Sequence, residues 1–245
     1  MNKNPILIVM DLKDKVVVIT GSSSGIGKAI ALRFAGEGSK IVTNYSTNRD
    51  GGEETLSEIK KRGGTAILVQ ADVSKQKDVQ KLFKSIVEAF GTVDILINNA
   101  GISSEGPFLE SSQIDFERII ETNLVGTMLC SQEAISIMEK KGGGKILNTS
   151  SVRGAEYGGR ALAYAASKAG INSFTKTLAK QVAPKIHVNA VGPGFVYTRP
   201  YDKLPQKQKD DYISSTYLKR WITVEEIADA FVFLAKNDAI TSISL

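Results

Sequence analysis

Six short apolar runs, rich in β-branched residues, are spaced along this chain, with longer stretches of helical periodicity between them. The runs are Val16–Thr20, Ile41–Asn44, Ala66–Gln70, Ile95–Asn98, Ile146–Thr149 and Ile186–Ala190. They are largely continuous in hydrophobicity, as strands buried on both faces of a parallel sheet must be. The helical stretches are Gly25–Ala35, Gly51–Lys61, Lys77–Phe90, Phe116–Lys140, Ala163–Val182 and Val224–Leu234. In the last of these, Ile227, Ala230, Phe231 and Leu234 share one face. Alternating strand and helix implies right-handed βαβ units, so the expected fold is α/β: a doubly wound, Rossmann-like parallel sheet with helices on both faces. No Pro/Gly-rich linker and no repeat divides the chain, so one domain is expected over residues 1–245.

The rest of the composition closes off several functions. The chain has one cysteine, Cys130, and one histidine, His187, so no internal disulfide, Cys-based zinc site or His-rich metal site is expected. A Ser-His-Asp hydrolase would have to rest on His187 alone. Cys130 lies in an apolar helical stretch and reads as a small core residue, and His187 as a strand residue. The net charge of +5 comes without a long basic run, which argues against nucleic acid as a partner. The apolar run Pro5–Met10 is too short to span a membrane. No other stretch reaches about 18 apolar residues, so a soluble, cytoplasmic protein is expected, with residues 1–11 as an N-terminal extension.

The first strand runs directly into Gly21-Ser22-Ser23-Ser24-Gly25-Ile26-Gly27, which opens a helix. Gly21 permits a tight exit from the strand, Gly25 leaves room for a phosphate against the backbone, and Gly27 lets the helix approach the sheet. The free N–H groups of the helix start favour a pyrophosphate, and Ser23, Ser24 and Ile26 belong to the same loop. The nucleotide's ribose should lie at the end of the second strand. There the chain reads Tyr45-Ser46-Thr47-Asn48-Arg49, with no carboxylate before Asp50. Ser46 and Arg49 can accept a 2′-phosphate, so NADP(H) is favoured. Ser24, not a basic residue, precedes Gly25, and NAD(H) stays open.

Four more motifs follow in order: Asn98-Asn99-Ala100-Gly101, then Ser151, then Tyr164-Ala165-Ala166-Ser167-Lys168, then Pro193-Gly194 with Thr198. With the glycine turn, they make residues from Leu12 to about Ala239 resemble the short-chain dehydrogenase/reductase family. The resemblance implies an NAD(P)(H)-dependent oxidoreductase that interconverts a carbonyl and a secondary alcohol. It implies Tyr164 as general acid/base and Lys168 as the cation that lowers the tyrosine pKa and holds the nicotinamide ribose. Ser151 would polarise the substrate oxygen, with Ser150 as the adjacent competitor, and Asn123 would position a proton-relay water. Tyr164 and Lys168 are four residues apart and share a helix face if the helix has begun by Tyr164. Asp72 and Val73 would meet the adenine. Tyr45, Asn99, Ala100 and Gly101 would line the cofactor channel and Thr198 would meet the carboxamide; Pro193, Gly194 and Val196 are also expected at the cofactor, with Pro193 and Gly194 shaping the turn more than touching substrate.

Two substrate readings follow from the resemblance. One is similar to 3-oxoacyl carrier-protein reductases, with Lys140, Lys141 and Lys185 near basic docking positions for an acidic carrier; it is the favoured one. The other is similar to glucose and other sugar or polyol dehydrogenases. A non-catalytic NAD(P)-binding sensor or scaffold is a third possibility, opposed by the intact catalytic set. The segment Arg199–Trp221 is expected to form a substrate lid. Trp221 stands where the family commonly has glycine. A homodimer or homotetramer is expected, with pairing through the long helices. The sequence ends at Ile240-Thr241-Ser242-Ile243-Ser244-Leu245, where the family's last strand would begin, so that strand is expected to be missing and the sheet edge open.

Overall fold

The computed structural model describes residues 10–155 and 161–245; most of the apolar run Pro5–Met10 lies outside them. Six strands form one sheet: β1 (Val16–Ile19), β2 (Lys40–Tyr45), β3 (Thr65–Gln70), β4 (Ile95–Asn98), β5 (Gly144–Thr149) and β6 (Ile186–Val191). Their order is β3-β2-β1-β4-β5-β6, and every pairing is parallel. Alternate β1 residues face opposite sides. Val17 and Ile19 join one apolar cluster and Val16 and Val18 another, all at most 3% exposed. That two-sided burial is why the strand sequences are continuous in hydrophobicity.

The helices are α1 (Gly25–Gly36), α2 (Arg49–Lys61), α3 (Gln76–Phe90), α4 (Gln113–Ile120), α5 (Gly126–Lys141), α6 (Leu162–Val182), α7 (Gln206–Ser215) and α8 (Val224–Lys236). Phe34 of α1 and Phe231 of α8 meet in the first cluster. Phe83 of α3 and Met138 of α5 meet in the second. Cys130 is fully buried there, and burial pushes its thiol up to about 12. The expected helix Phe116–Lys140 begins earlier and is interrupted by a π-helical turn, Glu121–Val125. Such turns occur frequently at functional sites, and this one holds Asn123. Helix α7 lies inside the expected lid; its mostly polar sequence gave no periodic signal.

The sheet edge beside β6 is not open. The Ser242 and Leu245 N–H groups donate to Val188 O (2.8 Å) and Ala190 O (3.0 Å), while Ala190 and Gly192 donate to Ile243 O (2.8 Å) and Leu245 O (2.7 Å). The last residues therefore run parallel to β6 as the start of a further strand, too short to count as one. Composition did not show this, because the contacts are made by the backbone.

Candidate active site

The order of the strands reverses at β1, between β2 and β4. This switch point leaves a crevice beyond the C-terminal strand ends. At its floor, Gly21 adopts φ +63° and donates to Asn44 Oδ1 at 3.0 Å. A Cβ on Gly27 would meet Gly21 O at 2.4 Å and Asn99 Nδ2 at 2.5 Å, so the helix can pack this close only with glycine here. Two further side chains lock the turn. The Thr20 hydroxyl oxygen accepts from Asn99 N (3.0 Å) and Ala100 N (3.1 Å), and Asn99 Nδ2 donates to Thr20 O and Gly21 O, both at 3.1 Å. Asn44 also donates to Val69 O and Ala71 O, tying the turn to the end of β3. Thr20 and Asn44 escaped the sequence reading because their partners lie on other strands.

Helix α1 starts at Ser24, whose side chain makes no capping bond, whereas α2, α4 and α8 are each capped by a side chain. Its N–H groups thus face a cleft of about 1360 Å³, larger than a drug-sized ligand needs. Gly21, Ser23, Ser24, Gly25, Ile26 and Gly27 line the cleft's centre, and Tyr45, Ser46, Asp72 and Val73 line one end. Asn99, Ala100, Gly101 and Thr198 line the other. An open helix start without competing caps, long enough for two phosphates and two rings, fits a dinucleotide.

Arg49 is placed outside this lining. Its guanidinium bonds Glu53 Oε1 at 2.7 Å and is largely exposed. Pro193, Gly194 and Val196 also lie behind the wall. Pro193 O accepts from Val152 N at 3.1 Å, a Cβ on Gly194 would meet Ile222 at 3.3 Å, and Val196 is buried and bridges Ile222. This scaffold brings Thr198 against Gly25, with Thr198 Cγ2 at 3.5 Å from where a Gly25 Cβ would stand.

The four expected catalytic side chains are not in the cleft lining but gather behind it, next to Gly101. Helix α6 begins at Leu162, so Tyr164 and Lys168 share a face. Lys168 Nζ lies 5.5 Å from the centre of the Tyr164 ring and donates to Thr149 O at 2.6 Å. A methyl on Gly101 would touch Asn123 Oδ1 at 3.3 Å and Lys168 Nζ at 3.7 Å, which places both beside the cleft lining. Asn123 is wholly buried: its Oδ1 accepts from Ile102 N (2.8 Å), and its Nδ2 donates to Ile102 O and Ser167 Oγ, each at 3.0 Å. Ser167 in turn donates to Tyr164 O at 2.7 Å. Ser167 thus couples the π turn to the tyrosine's helix.

The two serines separate cleanly. Ser150 donates to Asn172 Oδ1 (2.6 Å) and Lys168 O (3.3 Å) and is spent on holding α6. Ser151 Oγ accepts from Arg153 N at 3.2 Å and is a hydrogen-bond partner of the Tyr164 phenol.

The electrostatics differ in one respect from expectation. Burial pushes the Tyr164 phenol above its ordinary value, and the Ser151 hydroxyl and the Arg153 charge only partly oppose this. Burial pulls Lys168 down to about 8. The expected lowering of the tyrosine does not come from the chain's own groups, because burial outweighs them. Any further lowering would have to come from a bound cofactor, whose oxidised nicotinamide ring is positively charged.

The opposite wall is aromatic. Tyr212 lies between Phe195 and Tyr201 in contact, its ring centre 4.8 Å from that of Phe195 and 5.8 Å from that of Tyr201. Trp221 packs 4.8 Å from Tyr201 and 5.4 Å from Tyr197. The tryptophan thus closes the base of the expected lid. Among the described residues, no three His, Cys, Asp or Glu side chains gather as a metal site, and no helix is long and apolar enough to cross a membrane.

This geometry has close counterparts. The family model described as short chain dehydrogenase matches residues 15–209. The chain belongs to the short-chain dehydrogenase family. It is 36% identical over 227 residues to 3-oxoacyl-(acyl-carrier-protein) reductase FabG of two strains of Staphylococcus epidermidis, covering 92% of this chain and 93% of theirs. Its fold matches a double-mutant Serratia marcescens short-chain dehydrogenase/reductase at TM-score 0.91 and 32% identity, over 96% of this chain and 97% of that one. It also matches a mutant actinorhodin polyketide ketoreductase with NADPH at TM-score 0.90 and 30% identity, over 95% of each chain. This short-chain dehydrogenase is therefore an NAD(P)-dependent oxidoreductase that interconverts a carbonyl and a secondary alcohol.

Proposed function

We propose that the protein reduces the ketone of a 3-oxoacyl thioester, with NADPH as the preferred cofactor. Bound in the cleft, the nicotinamide supplies the hydride. Tyr164 gives its phenolic proton to the forming alkoxide, and Ser151 hydrogen-bonds the same oxygen, so the carbonyl becomes a secondary alcohol as NADPH becomes NADP+. Lys168 stabilises the phenolate left behind, and Asn123 with Ser167 keeps the tyrosine's helix in register. The observation that carries the reading is the approach of Lys168 to Tyr164 on one side and to Gly101 of the cleft on the other.

Cofactor preference rests on the ribose end. Tyr45, Ser46, Thr47 and Asn48 line it and bring no carboxylate to repel a 2′-phosphate. The carrier reading rests on Lys140, Lys141 and Lys185 alone: Lys141 and Lys185 line a hollow at the other end of the sheet from the catalytic residues, where Lys141 is already paired with Asp94 and Lys145 with Asp238. Lys140 stands beside it at the end of α5. Association into a homodimer or homotetramer is supported by exposed Val125, Met128 and Leu162 along the helices expected to pair.

A screen of NADPH oxidation against acetoacetyl thioesters, simple ketones and sugars tests the reading. Turnover of the thioester, lowered roughly 10²-fold or more in Tyr164→Phe, is expected. A preference for sugars would replace it with the polyol reading. Cofactor binding without any turnover would replace it with a sensor.

A further inference from the structure

Between the catalytic serine and the aromatic wall stands an ion pair that the mechanism above does not use. Arg153 follows Ser151 in a short 3₁₀ turn, Val152–Gly154. The turn is pressed onto α6: a Cβ on Gly154 would meet Lys168 C at 2.6 Å and Ala169 N at 2.8 Å. Val152 N anchors its other side on Pro193 O at 3.1 Å. The backbone being fixed on both sides, the Arg153 guanidinium reaches across the site. It lies 5.8 Å over the Phe195 ring and bonds Glu105 Oε1 at 2.5 Å, a residue of the loop after β4. Its side chain is 20% exposed, against 42% for Glu105, so the cation is the more enclosed member. Its charge acts on two phenols, Tyr164 and Tyr201.

A guanidinium offers five donors in a rigid plane. One of them, on Nη1, is engaged by a Glu105 oxygen, while the central carbon stands 5.8 Å over the Phe195 ring. Arg153 is two residues from Ser151 in the same short turn, and its charge is felt at Tyr164, so this donor stands beside the reacting ketone's two partners without being one of them. Glu105 sits on an exposed loop and marks the kind of group the guanidinium donates to: a carbonyl or carboxyl oxygen.

We infer that Arg153 is a specificity-determining residue that donates to the second carbonyl oxygen of a 1,3-dicarbonyl substrate, the C1 oxygen of a 3-oxoacyl group, while Ser151 and Tyr164 hold the C3 oxygen, and that Glu105 competes for the same donors. This rests on the 3-oxoacyl reading and assigns discrimination within it. A substrate lacking the second carbonyl leaves the cation paired with Glu105 and gains nothing from it. One carrying it replaces the glutamate oxygen with its own.

The test compares kcat/KM for an acetoacetyl thioester with that for an isolated methyl ketone of equal length, in the wild type, Arg153→Met, Arg153→Lys and Glu105→Gln. NADPH titration checks that each variant keeps its cofactor site. The ratio of the two substrates is expected to fall about tenfold in Arg153→Met, chiefly through KM of the thioester, and to recover in part in Arg153→Lys. In Glu105→Gln it is expected to rise, because the competitor has lost its charge. An unchanged ratio in Arg153→Met overturns the inference while leaving the 3-oxoacyl reading intact. A fall of equal size in Arg153→Met and Glu105→Gln also overturns it, showing the pair to be a structural tie between two loops. Wild-type enzyme that turns over the ketone but not the thioester overturns both.

Discussion

The Lys168 ammonium is clamped between the Tyr164 ring, 5.5 Å away, and the carbonyl of Thr149, which accepts its hydrogen bond at 2.6 Å. The amine cannot swing away from the phenol without losing a buried bond, so its charge is delivered to one place. The cost of that enclosure is the depressed lysine value of about 8, against an ordinary 10.5.

That value sets the pH dependence. Reduction needs the lysine as a cation, so kcat/KM for the carbonyl should hold below about pH 8 and fall as Lys168 loses its proton above it. Lys168→Arg keeps the charge at all accessible pH and should remove the fall, whatever it costs in rate. Stability carries the opposite sign: the unfolded chain keeps this proton up to about 10.5, so the contribution of Lys168 to stability should rise between pH 8 and 10.5. Urea titrations of wild type and Lys168→Met across that range would show it; a stability that falls in both alike would contradict the assignment.

Ser151→Ala should reduce turnover roughly 10²-fold, the usual loss for one polarising donor, with little change in melting temperature. Ser150→Ala should do the reverse. It removes a buried bond to Asn172 and should cost about 1–3 kcal/mol of stability. Steady-state rates and thermal melts on both variants decide which serine serves the chemistry; similar profiles would refute the division of roles.

The proposed role of Arg49 in cofactor choice has to contend with its tie to Glu53 and its place outside the cleft lining. Arg49→Ala is expected to narrow the affinity gap between NADPH and NADH. Glu53→Gln, which releases the guanidinium toward the 2′-phosphate, is expected to widen it. Fluorescence titrations with both cofactors measure this. No change in the gap in either variant would leave selection to Ser46 and its neighbours.

Removing residues 242–245 deletes four backbone bonds to β6 and its following loop. At the usual net worth per bond this amounts to roughly 2–6 kcal/mol, with the lower end expected for so exposed an edge. The melting temperature should drop by about 4–8 °C for each 2 kcal/mol in a chain of this size. A melt unchanged by the deletion would show the tail to be unpaired in solution.

Much of this protein was legible in order along the chain. Each strand is buried on both sides, so Val16–Ile19 and Ile95–Asn98 announce themselves without knowledge of their neighbours. The glycine turn and the Tyr164-to-Lys168 spacing are local as well, since a helix repeats every 3.6 residues whatever surrounds it. Two extrapolations were not local. The edge beside β6 looked open because a backbone pairing has no side-chain signature, and the tyrosine was expected to be lowered because burial cannot be read from a motif.

By itself, then, the amino-acid order determined the six strands and most of the helices and pointed to a glycine turn and a tyrosine–lysine pair, all of it carried by periodicity and short spacing. Only the tertiary structure decided which serine is free, that Thr20, Asn44 and Asn99 lock the glycine turn, and that Arg153 meets Glu105 across 48 positions of chain. The reason is that hydrogen bonds and ion pairs act over a few ångströms in space. The chain separation between their partners is set by the sheet order, and no local pattern encodes it.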